Sequence, residues 1–340
     1  MRIRRGQHLA TEVDDGSDGE EPLVDMTKAL SLHSKRTERQ RKKLQKKAKK
    51  ATEAANLLSL PTELLVDIIE LLLPSDCLRL ASVCRDLNQV VQYHGEAVAK
   101  HLIDKRYSSL AKSFPRPVYL SAVDAKYHDA LLSKGRQRML EIHKRPYQHV
   151  KSPEPTQICS CLTCILAWNN LCLLVDLAHW QGQLDRHEPL PIIERGTNPE
   201  WNLDLVAKNA TIVDKSIRST LWYALILERH LDTTVRTIRR YKRTGKSTVP
   251  YDMTAEDADS GTDRWLERKG PDTYEFPWRR DTYYHLEAYV PNRKYSSEQH
   301  KWLYQPASQH DRDIEWALSF HERHRSQIPS NIQTTDLVHR

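Results

Sequence analysis

Residues 57–91, "LLSLPTELLVDIIELLLPSDCLRLASVCRDLNQVV", carry 20 aliphatic, Ala or Cys side chains in 35 positions. Leu64, Leu65, Ile68, Ile69, Leu71 and Leu72 fall at helical spacing. Pro61 suits a first helical position, where a missing N–H costs nothing, and Glu63 and Asp67 then sit near the positive end of the helix dipole. Pro74 is expected to stop this helix. Ser75 or Asp76 would cap a second one bearing Leu78, Leu80 and Ala81. A third short helix would carry Val83, Cys84, Leu87, Val90 and Val91. Three helices this short cannot enclose so many apolar side chains. The surplus must be covered either by the rest of the chain or by a second polypeptide.

The sequence upstream has the opposite character. Residues 35–50, "KRTERQRKKLQKKAKK", hold ten Lys or Arg and one Glu, a local charge of +9 in a chain whose total is +7, so everything else carries −2. Basicity is therefore an appendage here, and not the footprint of a nucleic-acid-binding domain. Residues 1–56 are expected to be disordered, with an acidic stretch ("EVDDGSDGEEP") ahead of the basic run and a transient helix over 35–55. The run reads as a solvated tail, a nuclear-import signal (Lys35, Arg36, Arg41, Lys42, Lys43, Lys46, Lys47, Lys49, Lys50) or a contact for nucleic acid or acidic membrane. Six cysteines in 340 residues are too sparse for a secreted disulfide scaffold, and no apolar signal core opens the chain. A reducing, intracellular setting in the nucleus or cytoplasm is expected.

The order Leu60-Pro61-x-Glu63-Leu64, Ile68, Leu72, Asp76, Leu78, Leu80, Val83-Cys84-Arg85 and Leu87 resembles an F-box, a three-helix module. One departure is visible: Asp86-Leu87 follows Arg85 where many F-boxes place an aromatic residue. The resemblance implies docking to a Skp-type adaptor, and through it a cullin scaffold, by Leu60, Pro61, Leu64, Ile68, Leu71, Leu78, Leu80, Val83 and Leu87.

Past the apolar segment, the sequence predicts interrupted amphipathic helices over 94–157 and a larger body over 158–326. A disordered tail follows at 327–340. The fold class expected is mostly α, with a helical or α+β body. From Cys161 to Trp180 there are 20 residues with one formal charge, Asp176, which is the length of a membrane span. Asn169, Asn170, Asp176 and His179 would be expensive in lipid, so a buried core helix is expected and no membrane. Residues 198–243 predict two or three helices that bury Leu203, Val206, Ile212, Val213, Ile217, Leu221, Leu225 and Ile226. Residues 244–264 read as a loop, and 271–304 hold nine aromatic residues that serve either as core or as a client-binding surface. The stretches "CLTCILAWNNLCLLVDLAHWQ", "WNLDLVAKNATIV" and "SGTDRWLERKGPDTYEFPWRRDTYYHLEAYVPNRKYS" resemble segments of F-box proteins from filamentous fungi. That likeness spans 160–320 and implies a shared region with no defined activity.

"CSCLTC" supplies Cys159, Cys161 and Cys164, with Cys172 beyond. On one helix Cys161 and Cys172 would stand about 16 Å apart, too far to share a tetrahedral zinc. The first three with a distant His remain a possible set; buried reduced thiols are the default, so no metal and no cofactor are expected. Enzyme motifs fail residue by residue. "GKST" at 245–248 lacks the phosphate-loop glycine, because Arg240 stands there. "DADSGTD" lacks the calcium-loop glycine and glutamate, replaced by Thr262 and Arg268. His321 and His324 lie on a charged face. The reading is a non-catalytic substrate-recognition adaptor of a ubiquitin ligase with an unknown client protein. The alternative is a nuclear nucleic-acid-associated or scaffold protein that acts through the basic tail.

Overall fold

The computed structural model describes residues 35–52, 57–144, 150–194, 197–244, 253–268, 293–304 and 309–327. The acidic stretch, most of the aromatic segment (Tyr274 to Tyr289 included) and the tail expected at 327–340 lie outside those residues, Gln327 alone excepted. The chain divides into two units, 1–56 and 57–340. In the first, the basic run forms a helix, α1 (Lys35–Thr52), whose side chains are exposed from Lys35 to Lys46.

The second unit is helical. After a 3-10 turn at Leu57–Ser59 come α2 (Thr62–Ile69), α3 (Pro74–Ala81) and α4 (Arg85–Arg106). Pro61 is the residue before α2 and not its first residue. Pro74 opens α3 and does not end α2, and with Leu73 at the cap the expected Ser75 or Asp76 cap is not made. Proline at a first helical position loses no hydrogen bond, which suits Pro74 to start α3, whereas α2 has already ended at Ile69, five residues earlier. The third helix is not short: α4 runs 22 residues, straight across the boundary expected at 93/94.

Then follow α5 (Ser108–Ser113), α6 (His128–Leu132) and α7 (Lys134–Lys144). Three long helices form the centre of the body: α8 (Leu162–Asp185), α9 (Glu200–Arg218) and α10 (Thr220–Thr244). Helix α8 is long and apolar enough to cross a membrane, yet most of its residues are buried within the unit. Its buried Asp176 accepts a hydrogen bond from Asn209 Nδ2 of α9 at 3.2 Å. The core gathers Trp168, Leu171 and Val175 of α8, Val213 and Ile217 of α9, and Ala224, Leu227 and Leu231 of α10. Leu203, expected inside α9, is half exposed; Leu205 and Ala210 take the inner face instead. Trp201 and Trp316 also lie outward, so the tryptophans are not uniformly core.

The segment expected as a loop holds α11 (Ala255–Asp259), whose Thr254 and Asp257 form a reciprocal capping box. A hairpin of β1 (Arg293–Ser296) and β2 (Lys301–Tyr304) pairs Tyr295 with Trp302, and α12 (Gln309–Gln327) follows. Residues 118–120 and 157–159 run antiparallel: Leu120 N–H donates to the Gln157 carbonyl (2.8 Å) and Cys159 N–H to Val118 (2.9 Å).

Two buried titratable groups pull stability in opposite directions. His230 on α10 packs edge-on to Phe114, ring centroids 4.7 Å apart, and burial holds its imidazole down to about 3. Asp263 accepts the Leu110 N–H at 2.7 Å, and burial pushes its carboxyl up to about 7. Unfolded His230 takes a proton below its ordinary 6.5 that the folded group refuses, so its contribution falls as pH drops from there toward 3. Folded Asp263 keeps a proton that the unfolded group loses near 3.8, so its contribution falls as pH rises from there to about 7. Relative to wild type, His230→Leu should make the slope of unfolding free energy with pH more negative between about pH 4 and 6.5, by about 1.4 kcal/mol per unit. Asp263→Asn, which keeps an acceptor for Leu110, should shift it by a similar amount in the positive direction. Urea melts across that range would measure both; unchanged slopes would contradict the assignment.

Candidate functional site

Helix α2 carries two adjacent apolar stripes, and the fold seals only one. Ile69 belongs to a cluster with Cys77 of α3, Val91, Val98, Ala99 and Leu102 of α4, and Leu221 of α10, and Leu65, one turn before it, is buried as well. Ser75 fastens the same seam, its N–H and hydroxyl donating to the Glu228 carboxylate at 2.8 and 2.6 Å. The neighbouring stripe, about 100° round the helix, carries Leu64 (48% exposed) and Ile68 (37%), and Leu71 (64%) is exposed in the turn that follows. Leu58, Pro61 and Val83 (70%) are exposed on the same small module. Large aliphatic side chains left in water at this density mark an interaction surface.

The nine residues expected at a scaffold interface thus separate. Pro61, Leu64, Ile68, Leu71 and Val83 are exposed; Leu60, Leu78 and Leu80 are half-buried, the last two packing on the module's own cluster. Leu87 is different: at 5% exposure, in the first turn of α4, it is inside the chain and unavailable to a partner. It fills the position where an aromatic residue was missed. Of the basic residues expected to signal import, Lys35, Arg36, Arg41, Lys42, Lys43 and Lys46 are exposed on α1; Lys47, Lys49 and Lys50 continue the helix.

The body has a second constellation. Cys159 leaves the antiparallel pairing with residue 118, Cys161 is the residue that caps α8, and Cys164 lies in that helix's first turn. The first turn of α12 brings His310 to them, and the four ligand atoms lie within 4.8 Å of one another. His310 Nδ1 stands 3.3 Å from the sulfurs of both Cys161 and Cys164. Hydrogen bonds from Cys161 and Cys164 hold the Cys159 thiol down to about 3, while donating to Cys159 pushes the Cys164 thiol up to about 12 and Cys161 further still. Of the three sulfurs, Cys159 is the one on which these hydrogen bonds favour negative charge. Cys172 lies in the main core, apart from this group, as helix geometry requires. The partner histidine was not identifiable from sequence, being 146 residues from Cys164 with no spacing that links them.

A cleft of about 660 Å³ opens among α8, α9 and α10, lined by Trp180, Trp201 and Lys208, Arg229, Asp204 and Asp232. It joins apolar rings to both signs of charge.

Residues 57–94 match the F-box-like family. The chain therefore carries an F-box-like domain at α2–α4, the kind of module that generally binds Skp-type adaptors and typically has a non-catalytic adaptor role in ubiquitin ligases. No curated protein and no solved structure matches the chain.

The two faces of this module should respond differently to truncation. Leu87→Ala should destabilise the chain by about 2–5 kcal/mol, the cost of a cavity in a packed site. Leu71→Ala should change stability by less than about 0.5 kcal/mol, because its side chain is already in water. Chemical denaturation of both variants checks this; equal losses would mean that Leu71 is covered in solution.

Proposed function

We propose that the protein is a substrate-recognition adaptor of a Skp–cullin–F-box ubiquitin ligase. It docks to the Skp-type subunit through the exposed face of α2 and α3 and holds a client protein on the helical body. The observation that carries this reading is the coincidence of the F-box-like match at 57–94 with an apolar face of Leu64, Ile68 and Leu71 that the chain leaves uncovered. Catalysis lies elsewhere in such an assembly. The adaptor raises the effective concentration of a client lysine beside a charged ubiquitin carrier.

The cleft among α8, α9 and α10 is the favoured client surface, since exposed Trp201 beside Lys208, Arg229 and Asp232 supplies the aromatic and charged anchors that protein interfaces concentrate. The likeness of 160–320 to fungal F-box proteins belongs to the same reading and rests on the quoted segments. The exposed basic helix α1 is assigned to nuclear import, giving a protein of the nucleus and cytoplasm.

Replacing Leu64 and Ile68 together with Glu should abolish co-purification with a Skp-type adaptor, a loss of at least about 30-fold if each is an interface anchor. The melting temperature should stay near that of wild type, because both residues are solvent-facing. Undiminished capture of the adaptor by the folded double variant would overturn the docking assignment. Deleting residues 35–50 should move the protein to the cytoplasm without altering adaptor capture. If that deletion instead removed a salt-sensitive affinity for DNA or RNA, the nucleic-acid reading would take over.

A further inference from the structure

Cys159, Cys161, Cys164 and His310 are four side chains of metal-ligating chemistry with a common centre. In a tetrahedral zinc site the sulfurs lie about 2.3 Å and the nitrogen about 2.0–2.1 Å from the metal, which spaces neighbouring ligand atoms about 3.6–3.8 Å apart. The observed set, all within 4.8 Å and with two sulfur–nitrogen separations of 3.3 Å, needs only small side-chain rotations to meet that figure.

The backbone around the sulfurs is arranged for thiolates. Each sulfur faces one main-chain N–H: Cys161 N–H to Cys159 (3.5 Å), Cys164 N–H to Cys161 (3.4 Å) and Val118 N–H to Cys164 (3.4 Å). Three such donors, supplied by a C-x-C-x-x-C turn, an α8 N-terminus and a facing extended strand, favour negative charge at all three positions. Three thiolates packed together in a buried site repel one another unless a cation lies between them. Zinc with three thiolates keeps one net negative charge, and the Arg136 guanidinium stands beside it, donating to the Ser160 carbonyl at 3.1 and 2.8 Å. Asp313, one turn along α12 from His310, accepts hydrogen bonds from the N–H and hydroxyl of Thr163, so the histidine arrives on a helix already pinned to the start of α8.

We propose that Cys159, Cys161, Cys164 and His310 bind one zinc ion in a closed, structural site that fastens α12 to the head of α8. Binding displaces the remaining thiol protons to solvent and forms three Zn–S bonds and one Zn–N bond; no oxidation is involved. Four protein ligands leave no open coordination position, so the site is not catalytic. Its structural value follows from the packing around it. The apolar cluster beneath α12 is small: among the described residues Ile314 and Ala317 are its buried contributions from that helix, and Trp316 on the same helix is half exposed. A metal supplies the fixation that so little buried surface does not. This inference is independent of the docking proposal.

The test uses the full chain purified without chelator. Elemental analysis should give about one zinc per chain in wild type and in Cys172→Ser, whose thiol lies outside the site. Cobalt added to the stripped protein should produce the visible bands of tetrahedral coordination and a sulfur-to-cobalt charge-transfer band. Cys161→Ser and His310→Ala should lower cobalt affinity on the order of 100-fold or more. His310→Cys should retain the metal, with a stronger charge-transfer band. Stripping should speed hydrogen exchange in 309–327 while α8–α10 stay protected. Wild type without zinc and without cobalt bands overturns the proposal. So do zinc that persists undiminished in both ligand variants, marking an adventitious ion only, and a disulfide among the three cysteines found by mass. If Cys161→Ser does not fold, the metal content of wild type and of His310→Cys decides the matter.

Discussion

A single seam of apolar side chains holds the first helices of the globule to the rest. Ile69 and Cys77 close on Val98, Ala99 and Leu102 of α4 and on Leu221 of α10, while Ser75 anchors to Glu228. Without α4 and α10, α2 and α3 are two eight-residue helices, far too short to persist in water. With them, one side of α2 is sealed and the other stays open. The exposed Leu64, Ile68 and Leu71 are therefore a consequence of how the seam is built: burying Leu65 and Ile69 turns the residues beside them outward.

Helix α4 gives this arrangement its reach. At about 1.5 Å per residue its 22 residues span about 33 Å. Its first half completes the F-box-like module, and its end is built into the body, where the Arg106 carbonyl accepts the Asp263 N–H. One helix belongs to both parts, so a partner held on α2 would have a fixed orientation to whatever sits on α8–α10. An adaptor that works by proximity gains from that fixity, because a floppy linkage dilutes the effective concentration it creates. At the far end of the chain the cysteine cluster plays a comparable part for α12, joining a terminal helix to the start of α8 where apolar contact is thin.

Helical class, the apolar module and the buried identity of α8 were legible in the sequence because each rests on local composition or periodicity. Asp176 pointed to a buried core position for α8, and its bond to Asn209 shows how a charge is tolerated there. What escaped was set by tertiary contact. Pro74 carries the same local signal whether it ends one helix or starts another, and here it starts α3 after α2 has stopped at Ile69. Leu87 and Leu71 are the same residue type in the same apolar segment, yet one is core and one is surface, a difference that tertiary packing alone sets. In α9 the expected Val213 and Ile217 are buried, but Leu203 is half exposed and Leu205 turns inward, because a helix with apolar residues on several faces does not announce which one meets a neighbour at its first turns. His310 joins three cysteines across about 150 positions, a relation that no sequence spacing encodes.

The central claim is that the outward face of α2 and α3 is a docking surface for a second polypeptide. Hydrogen exchange of the full chain, measured alone and with a purified Skp-type adaptor, tests it most directly. Amides of 58–72 and 75–83 should slow on addition of the adaptor, with α9 and α10 unchanged. A footprint that falls on the body, or a face of α2 that exchanges at the same rate with and without the adaptor, would contradict the account.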